Sequence, residues 1–280
     1  MQFKSFTFLI PLIMLLSFSC ATQKPYLGQP YLRHKPSDKS NIDVSKIKTL
    51  SFLQVKENII SAGQKLTSLK ANAKITIISP EINESFKCKG VLRFQKPKKI
   101  RVVGSKFAST VFDILSDGEN YWFHLPKQKV VYTGKCDTPR TINDNAYIFP
   151  DDIGTLLDYD KLFEGRSAFM ETWPTFWLIH VFDQEDEKFL PYGRLKIDRI
   201  DNEVTEFTLF KQDSFIKVQA RFANYTNIDG QTVPAEVQIN WPETGTTLIL
   251  ILNNLSINET LKPQIFQFKK PKKADLIKIS

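Results

Sequence analysis

The chain has 280 residues, 42% of them apolar and 24% charged, and a formal net charge of +8. Such apolar content excludes wholesale disorder, and the length can bury one large core or two small ones. The 22 phenylalanines, the many Ile, Val and Thr residues and the frequent prolines favour sheet over helix.

Met1 to Lys4 carries one positive charge, and residues 6–16, FTFLIPLIMLL, form a short apolar block broken by Pro11. This is the n-region and h-region order of an export signal. A transmembrane helix needs roughly 20 apolar residues. The block is shorter than that, and the longest later apolar run, LILIL at 248–252, is shorter still. Ser17 and Ser19 precede Cys20. The stretch SFSC resembles a bacterial lipobox, in which cleavage occurs before an acylated cysteine, although Ser17 stands where an aliphatic residue is usual. Residues 1–19 are therefore expected to be a lipoprotein signal peptide, with Cys20 the lipidated first residue of the mature chain, carrying palmitate or a similar acyl group. The other reading is a secreted protein cleaved nearby. Both take the chain out of the cytoplasm, and Ala21 as second mature residue is compatible with sorting to the outer membrane.

Residues 20–43, proline-bearing and polar with no periodicity, read as a tether between the lipid anchor and a folded domain over 44–280. Asp43 or Ser45 can cap a helix running to about Leu69, because Ile47, Leu50, Val55, Ile59, Ala62, Leu66 and Leu69 make one apolar stripe. From Ala71 the period is two. In SFKCKGVLRF, Phe86, Cys88, Gly90, Leu92 and Phe94 share one face, and in FIKVQARF so do Ile216, Val218, Ala220 and Phe222. Turn sequences at 116–120, 125–128, 199–203, 227–231 and 242–245 separate such strands. A second helix is expected over about Pro150 to Phe163, opened by Pro150 and ended before Gly165.

These elements predict a mainly β protein with helices, an α+β fold. It has one large curled antiparallel sheet of about ten strands, an unclosed half-barrel covered by two or more helices. The inward positions include Phe86, Leu92, Phe94, Phe112, Ile114, Trp122, Ile216, Val218, Phe222 and Leu250. Bulky apolar residues at those places make either a filled core or an acyl-chain cavity. Cys88 and Cys136 could pair in an oxidising compartment, or Cys88 is simply a small buried hydrophobe.

Catalytic and metal motifs are missing. His34 falls in the tether, His124 and His180 are isolated on strands, and no G-x-S-x-G, H-E-x-x-H, C-x-x-C or phosphate-binding glycine loop occurs. The acidic run DQEDE at 183–187 lacks EF-hand ligand spacing and reads as a solvated turn. No enzyme, cofactor or metal is expected, nor nucleic acid for an exported chain. Two basic groups, Lys96, Lys98, Lys99 and Arg101, then Lys269, Lys270, Lys272 and Lys273, read as solvated edges that resist aggregation or as contacts with anionic lipid.

The stretch from LTSLKANAKITII through GVLRFQKPKKIRVVGSKFAST to the SDGENYWFHLPKQK hairpin resembles LolA and LolB, the periplasmic lipoprotein carriers and outer-membrane lipoprotein receptors. The closing strands, NYTNIDGQTVPAEVQI to LNNLSINETLKPQIFQFKKP, are similar to that family too, so the resemblance covers residues 45–280. It implies an open barrel with a helical lid and a cavity for acyl chains. The ten inward residues above would then line that cavity. For a lipid-anchored, LolB-like member it implies a monomer that accepts lipids or lipoproteins from a soluble LolA-type carrier. It also implies an apolar loop residue that enters the membrane, and in GSKFAST that position is Phe107. The plainer reading is that Phe107 folds inward at a strand start.

Overall fold

The computed structural model describes residues 43–80, 85–136, 138 and 148–279. Cys20, the signal sequence and nearly all of the tether, with His34, lie outside the described residues. From Ser45 onward the chain forms one compact unit.

Ser51 opens helix α1 (Phe52–Lys65) with a capping box: the Gln54 amide N–H donates to the Ser51 hydroxyl, and the Gln54 side chain accepts from the Ser51 N–H. The helix is thus shorter at both ends than the stripe predicts. A single 3-10 turn, Val44–Lys46, lies upstream, and Ser68 already begins β1 (Ser68–Ile78). Leu69 fits the helical stripe, but it also starts the two-residue alternation that continues through Ala71, Ala73 and Ile75, all buried, and the sheet wins.

The first meander continues through β2 (Phe86–Gln95), β3 (Lys99–Lys106), β4 (Ser109–Ser116), β5 (Asn120–Leu125) and β6 (Val130–Lys135). Then come α2 (Pro150–Leu157) and a 3-10 turn, Tyr159–Phe163, where one helix was expected; Gly165 follows with φ 68°. The second meander is β7 (Ser167–Thr172), β8 (Phe176–Glu185), β9 (Lys188–Asp198), β10 (Val204–Phe210), β11 (Ile216–Ile228), β12 (Gln231–Trp241) and β13 (Thr246–Ile257), and β14 (Asp275–Lys278) follows as the last strand of the described residues.

The 14 strands among the described residues form one sheet in the order β14-β6-β5-β4-β3-β2-β1-β13-β12-β11-β10-β9-β8-β7. The two meanders join where β1 pairs antiparallel with β13. Among the described residues only β14, beside β6, is parallel to its neighbour. The sheet ends at β14 and β7 without closing on itself, the open curled architecture read from sequence. The count exceeds ten because edge pieces such as SAFMET and DLIK are too short to display alternation.

One face of the sheet packs against α1 and α2 in a single core that includes Leu92, Phe94, Phe112, Trp177, Val218 and Leu250. On the other face a C-terminal strap crosses β3–β5. Leu261 and Phe266 bury Leu115 there, and Trp122 stacks on Phe268 with centroids 5.0 Å apart. Trp122 therefore points away from the helices, contrary to its inward placement from sequence. Its neighbours Tyr121 and Phe123 are buried and hold the inward positions, Phe123 opposite Ile114. Three consecutive aromatics give no parity signal, because the strap makes both faces apolar.

Two residues of the first basic group are structural. Arg101 grips Asp113 with Nε and Nη2 at 3.0 and 2.7 Å, and its Nη1 donates to the Ile265 carbonyl of the strap at 2.8 Å. Lys96 is likewise ion-paired, with Asp158 and Asp160. The reading of this group as a solvated edge is corrected for both. Cys88 and Cys136 are not joined in a disulfide; burial raises the pKa of Cys88, and Cys136 Sγ sits 3.4 Å from the Ser116 hydroxyl.

Candidate functional site

Between α1, the α2 region and strands β1, β2 and β10–β13 lies a cavity of about 320 Å³, at the small end of the roughly 300–1,000 Å³ typical of ligand pockets. Its walls are Leu69, Leu92, Phe222, Val237, Leu250 and Leu252 from the sheet, roofed by Ile59, Ala62 and Leu66 at the C-terminal half of α1. Of the inward residues predicted from alternation, Leu92, Phe222 and Leu250 line this space. Phe94, Phe112, Ile114 and Val218 lie in closed core, Phe86 and Ile216 are half-buried, and Trp122 is on the far face. The roof residues belong to the helical stripe recognised in the sequence, but nothing in a stripe says what it covers.

The mouth of the cavity is polar. It is built from Asp201, Asn202 and Glu203 in the β9–β10 turn, Gly230–Thr232 at the β11–β12 turn, and Asn58, Ser61 and Lys65 on α1. Sequence marked 199–203 only as a turn, and indeed Asp198 Oδ1 caps it, accepting from the Ile200 and Asp201 amides at 2.8 and 3.3 Å. Burial, then the charges of Asp201 and Asp198, push the Glu203 carboxyl up to about 7. Burial, then Asp160, raises the Tyr159 phenol to about 12. Burial also holds Tyr225 well above its ordinary value, and its hydroxyl donates to the Val204 carbonyl.

The roof is tied down at both ends. Upstream, Arg199 donates through Nε and Nη2 to the Lys48 carbonyl at 3.0 and 2.8 Å, and the Lys48 amide returns a bond to the Arg199 carbonyl at 2.9 Å. Downstream, the Lys65 carbonyl accepts from Gln231 at 2.9 Å and Asn258 at 3.0 Å. Between them Gly63 meets the 3-10 turn so closely that a Cβ there would lie 2.6 Å from Asp160 Cβ. The second helix is anchored by Asp152, which accepts from Trp241 Nε1 at 3.0 Å and pairs with Lys217 at 2.8 Å.

Phe107 is 92% exposed. It forms with Ala108 the two-residue turn of the β3–β4 hairpin, at φ 50° and 62°. Two-residue hairpin turns with positive φ at both places favour Asn-Gly because other residues are strained there. A Phe-Ala pair departs from that preference. The Lys106 ammonium lies 5.7 Å from the Phe107 ring centroid and 5.8 Å from that of Phe86. Successive hairpins of an antiparallel sheet point in opposite directions, so the β8–β9 and β10–β11 turns share this end of the sheet. They carry two more exposed aromatics, Phe189 and Phe215. The cavity mouth, at the β9–β10 and β11–β12 turns, is at the other end.

His180 and the acidic run have local partners: His180 Nε2 is 2.9 Å from Glu171 and its ring stacks on Phe169, and Asp183 pairs with Arg166 at 2.7 Å.

No protein-family model matches the chain, and no curated protein matches it by sequence. Among solved structures, a DUF1329 family protein from Desulfovibrio piger superposes with a TM-score of 0.53 at 12% identity, covering 76% of this chain and 95% of that one. A LolA superfamily protein from Nitrosomonas europaea superposes with a TM-score of 0.51 at 12% identity, covering 79% and 99%. The fold is LolA-like. The open sheet forms a half-barrel, α1 and α2 cover one face of it, and the cavity lies between them.

Proposed function

We propose that the protein is an acyl-chain-binding lipoprotein, anchored by lipidated Cys20 in the outer membrane facing the periplasm. It accepts lipids or lipoproteins, taken from a soluble LolA-type carrier, and passes their chains to the bilayer without catalysis. The observation that carries this reading is the apolar cavity under α1. Burying an alkyl chain there yields about 0.8 kcal/mol per methylene without any reactive group. The LolA-like fold supports it, as does Phe107, a bulky apolar residue kept at an exposed turn that prefers others. Because Phe107 and the cavity mouth are at opposite ends of the sheet, delivery to a membrane touched by Phe107 requires α1 to lift rather than the chain to slide out of the mouth.

A second reading has one observation in its favour: Phe94, Phe112, Ile114 and Val218 are fully packed, so the inner sheet face beyond the cavity is filled core at these positions. On that reading the protein is a structural or adaptor lipoprotein. Mass spectrometry of lipids that co-purify with the protein, followed by uptake of an uncharged fluorescent alkyl probe after delipidation, separates the two. Carrier function predicts bound lipid and saturable uptake; failure of both leaves the adaptor reading. Labelling with a clickable fatty acid, with Cys20→Ala as control, tests the anchor.

A further inference from the structure

We propose, building on the acyl-chain reading, that the cavity mouth selects amphiphiles whose polar head donates hydrogen bonds, an ammonium or a hydroxyl, and disfavours a carboxylate head. The proposal rests on what the mouth leaves unpaired. Among the described residues, no ion pair or side-chain hydrogen bond engages the Glu203 carboxyl; only its backbone carbonyl is used, accepting from the Asp198 amide at 2.9 Å. Next to it, the Asn202 side-chain oxygen is buried with no donor. A buried acceptor without a partner costs about 1–3 kcal/mol, so a ligand that brings a donor recovers stability the free protein forgoes. The backbone presents this acceptor from a left-handed conformation, φ 69°, held by the Asn202 amide on the Asp198 carbonyl at 3.0 Å.

The remaining groups at the mouth do not reverse the preference. Tyr225 spends its hydroxyl proton on Val204. Asn58 and Ser61 can serve a donor or an acceptor. Among the described residues Lys65 is the single cation lining the cavity, against the carboxylates of Asp201 and Glu203, with Asp198 close enough to act on Glu203. A carboxylate head would therefore enter a field of like charge. Glu203, which titrates near neutrality through burial and these same neighbours, can meet an ammonium as an anion or a hydroxyl in either state.

The test uses the purified, delipidated chain loaded with N-phenyl-1-naphthylamine and displaced by dodecylamine, dodecanol or dodecanoate. At about pH 8 Glu203 is mostly ionised. Dodecylamine is expected to displace the probe at a concentration roughly tenfold lower than dodecanoate, with dodecanol between them. Glu203→Gln should shrink the amine preference to about threefold or less, with a far-UV circular dichroism spectrum like the parent's showing that the variant is folded. Dodecanoate binding as tightly as the amine, through Lys65, would overturn the head-group assignment while acyl binding stands. No binding of probe or of any of the three overturns both this inference and the acyl-chain reading.

Discussion

Lys96 Nζ lies 3.1 Å from Asp158 Oδ1, also donates to Asp160, and has the Gly63 carbonyl of α1 3.0 Å away as a further acceptor. One ammonium thus joins the β2–β3 turn, the segment after α2 and helix α1. Asp158 is 1% exposed and Asp160 9%. Burial, then the hydrogen bond with Asp160, holds Asp158 above its ordinary value against the pull of Lys96. Burial also works against ionised Asp160, but the bonds to Lys96 and Asp158 outweigh it and leave Asp160 low. Removing one partner of a buried pair costs about 3–5 kcal/mol. Lys96→Met should therefore lower unfolding stability by about 3 kcal/mol, and adding Asp158→Asn should restore part of it, a coupling that a double-mutant cycle in urea measures. A loss below about 1 kcal/mol would show that the triad does not hold α1.

The Phe107-Ala108 turn yields a prediction in which stability and delivery move in opposite directions. Replacing it by Asn-Gly relieves positive φ at two side-chain-bearing residues and should stabilise the fold by about 1–2 kcal/mol. If Phe107 is the membrane probe, the same variant, and Phe107→Glu, should take up an alkyl probe normally yet transfer it to liposomes several-fold more slowly. Transfer at the parental rate would exclude this hairpin from delivery.

How much of this was legible in sequence depends on whether a residue's partner is near in the chain. The face shared by Val218, Ala220 and Phe222 was legible because Lys217, Gln219 and Arg221 alternate with them. The Pro150 helix start was legible from a local rule. Trp122 was misplaced because Tyr121, Trp122 and Phe123 are apolar on both faces, and the strap that covers Trp122 returns only at Phe268. Lys96 looked like a solvated charge because Asp160 lies 64 positions away. The mouth was invisible for the same reason: Asp201–Glu203 become a site only when Lys65 and Gln231 are brought beside them. Symmetrically, the cavity occupies only the part of the sheet face that α1 leaves unfilled, which strand alternation does not encode.

Arg199 ties down the chain just ahead of α1, donating to Lys48 and also to the Trp173 and Pro174 carbonyls at 2.7 and 3.1 Å. These bonds are exposed, so the cost of losing them lies near the low end of the 1.5–3 kcal/mol for charged donors. Arg199→Ala should raise the opening of α1 about tenfold, read as faster amide exchange across Phe52–Lys65 and faster release of a bound alkyl probe, with global stability falling by about 1 kcal/mol. Exchange faster throughout the sheet as well would mean general destabilisation instead of a local tie.

Glu203 supplies a pH dependence whose sign follows from its shift. Its carboxyl titrates at about 7 in the fold against an ordinary 4.5, so between those values the folded chain binds the proton more tightly than the unfolded chain does. The stability held by the protonated carboxyl is fully present below about pH 4.5 and is lost as the pH rises through 7. The group is partly exposed, and after discounting for solvent screening the loss is roughly 1 kcal/mol. Urea midpoints should therefore fall between about pH 5 and pH 8, and Glu203→Gln, which cannot ionise, should flatten that fall while matching the parent at the acid end. An unchanged slope in the variant would mean that other groups govern the pH response and that Glu203 is solvated like an ordinary surface carboxylate. A bound ammonium amphiphile should reverse the trend at Glu203, since it favours the ionised carboxyl. With saturating dodecylamine, the parent should lose less stability on going from pH 5 to pH 8 than the ligand-free chain, and Glu203→Gln should show no such protection.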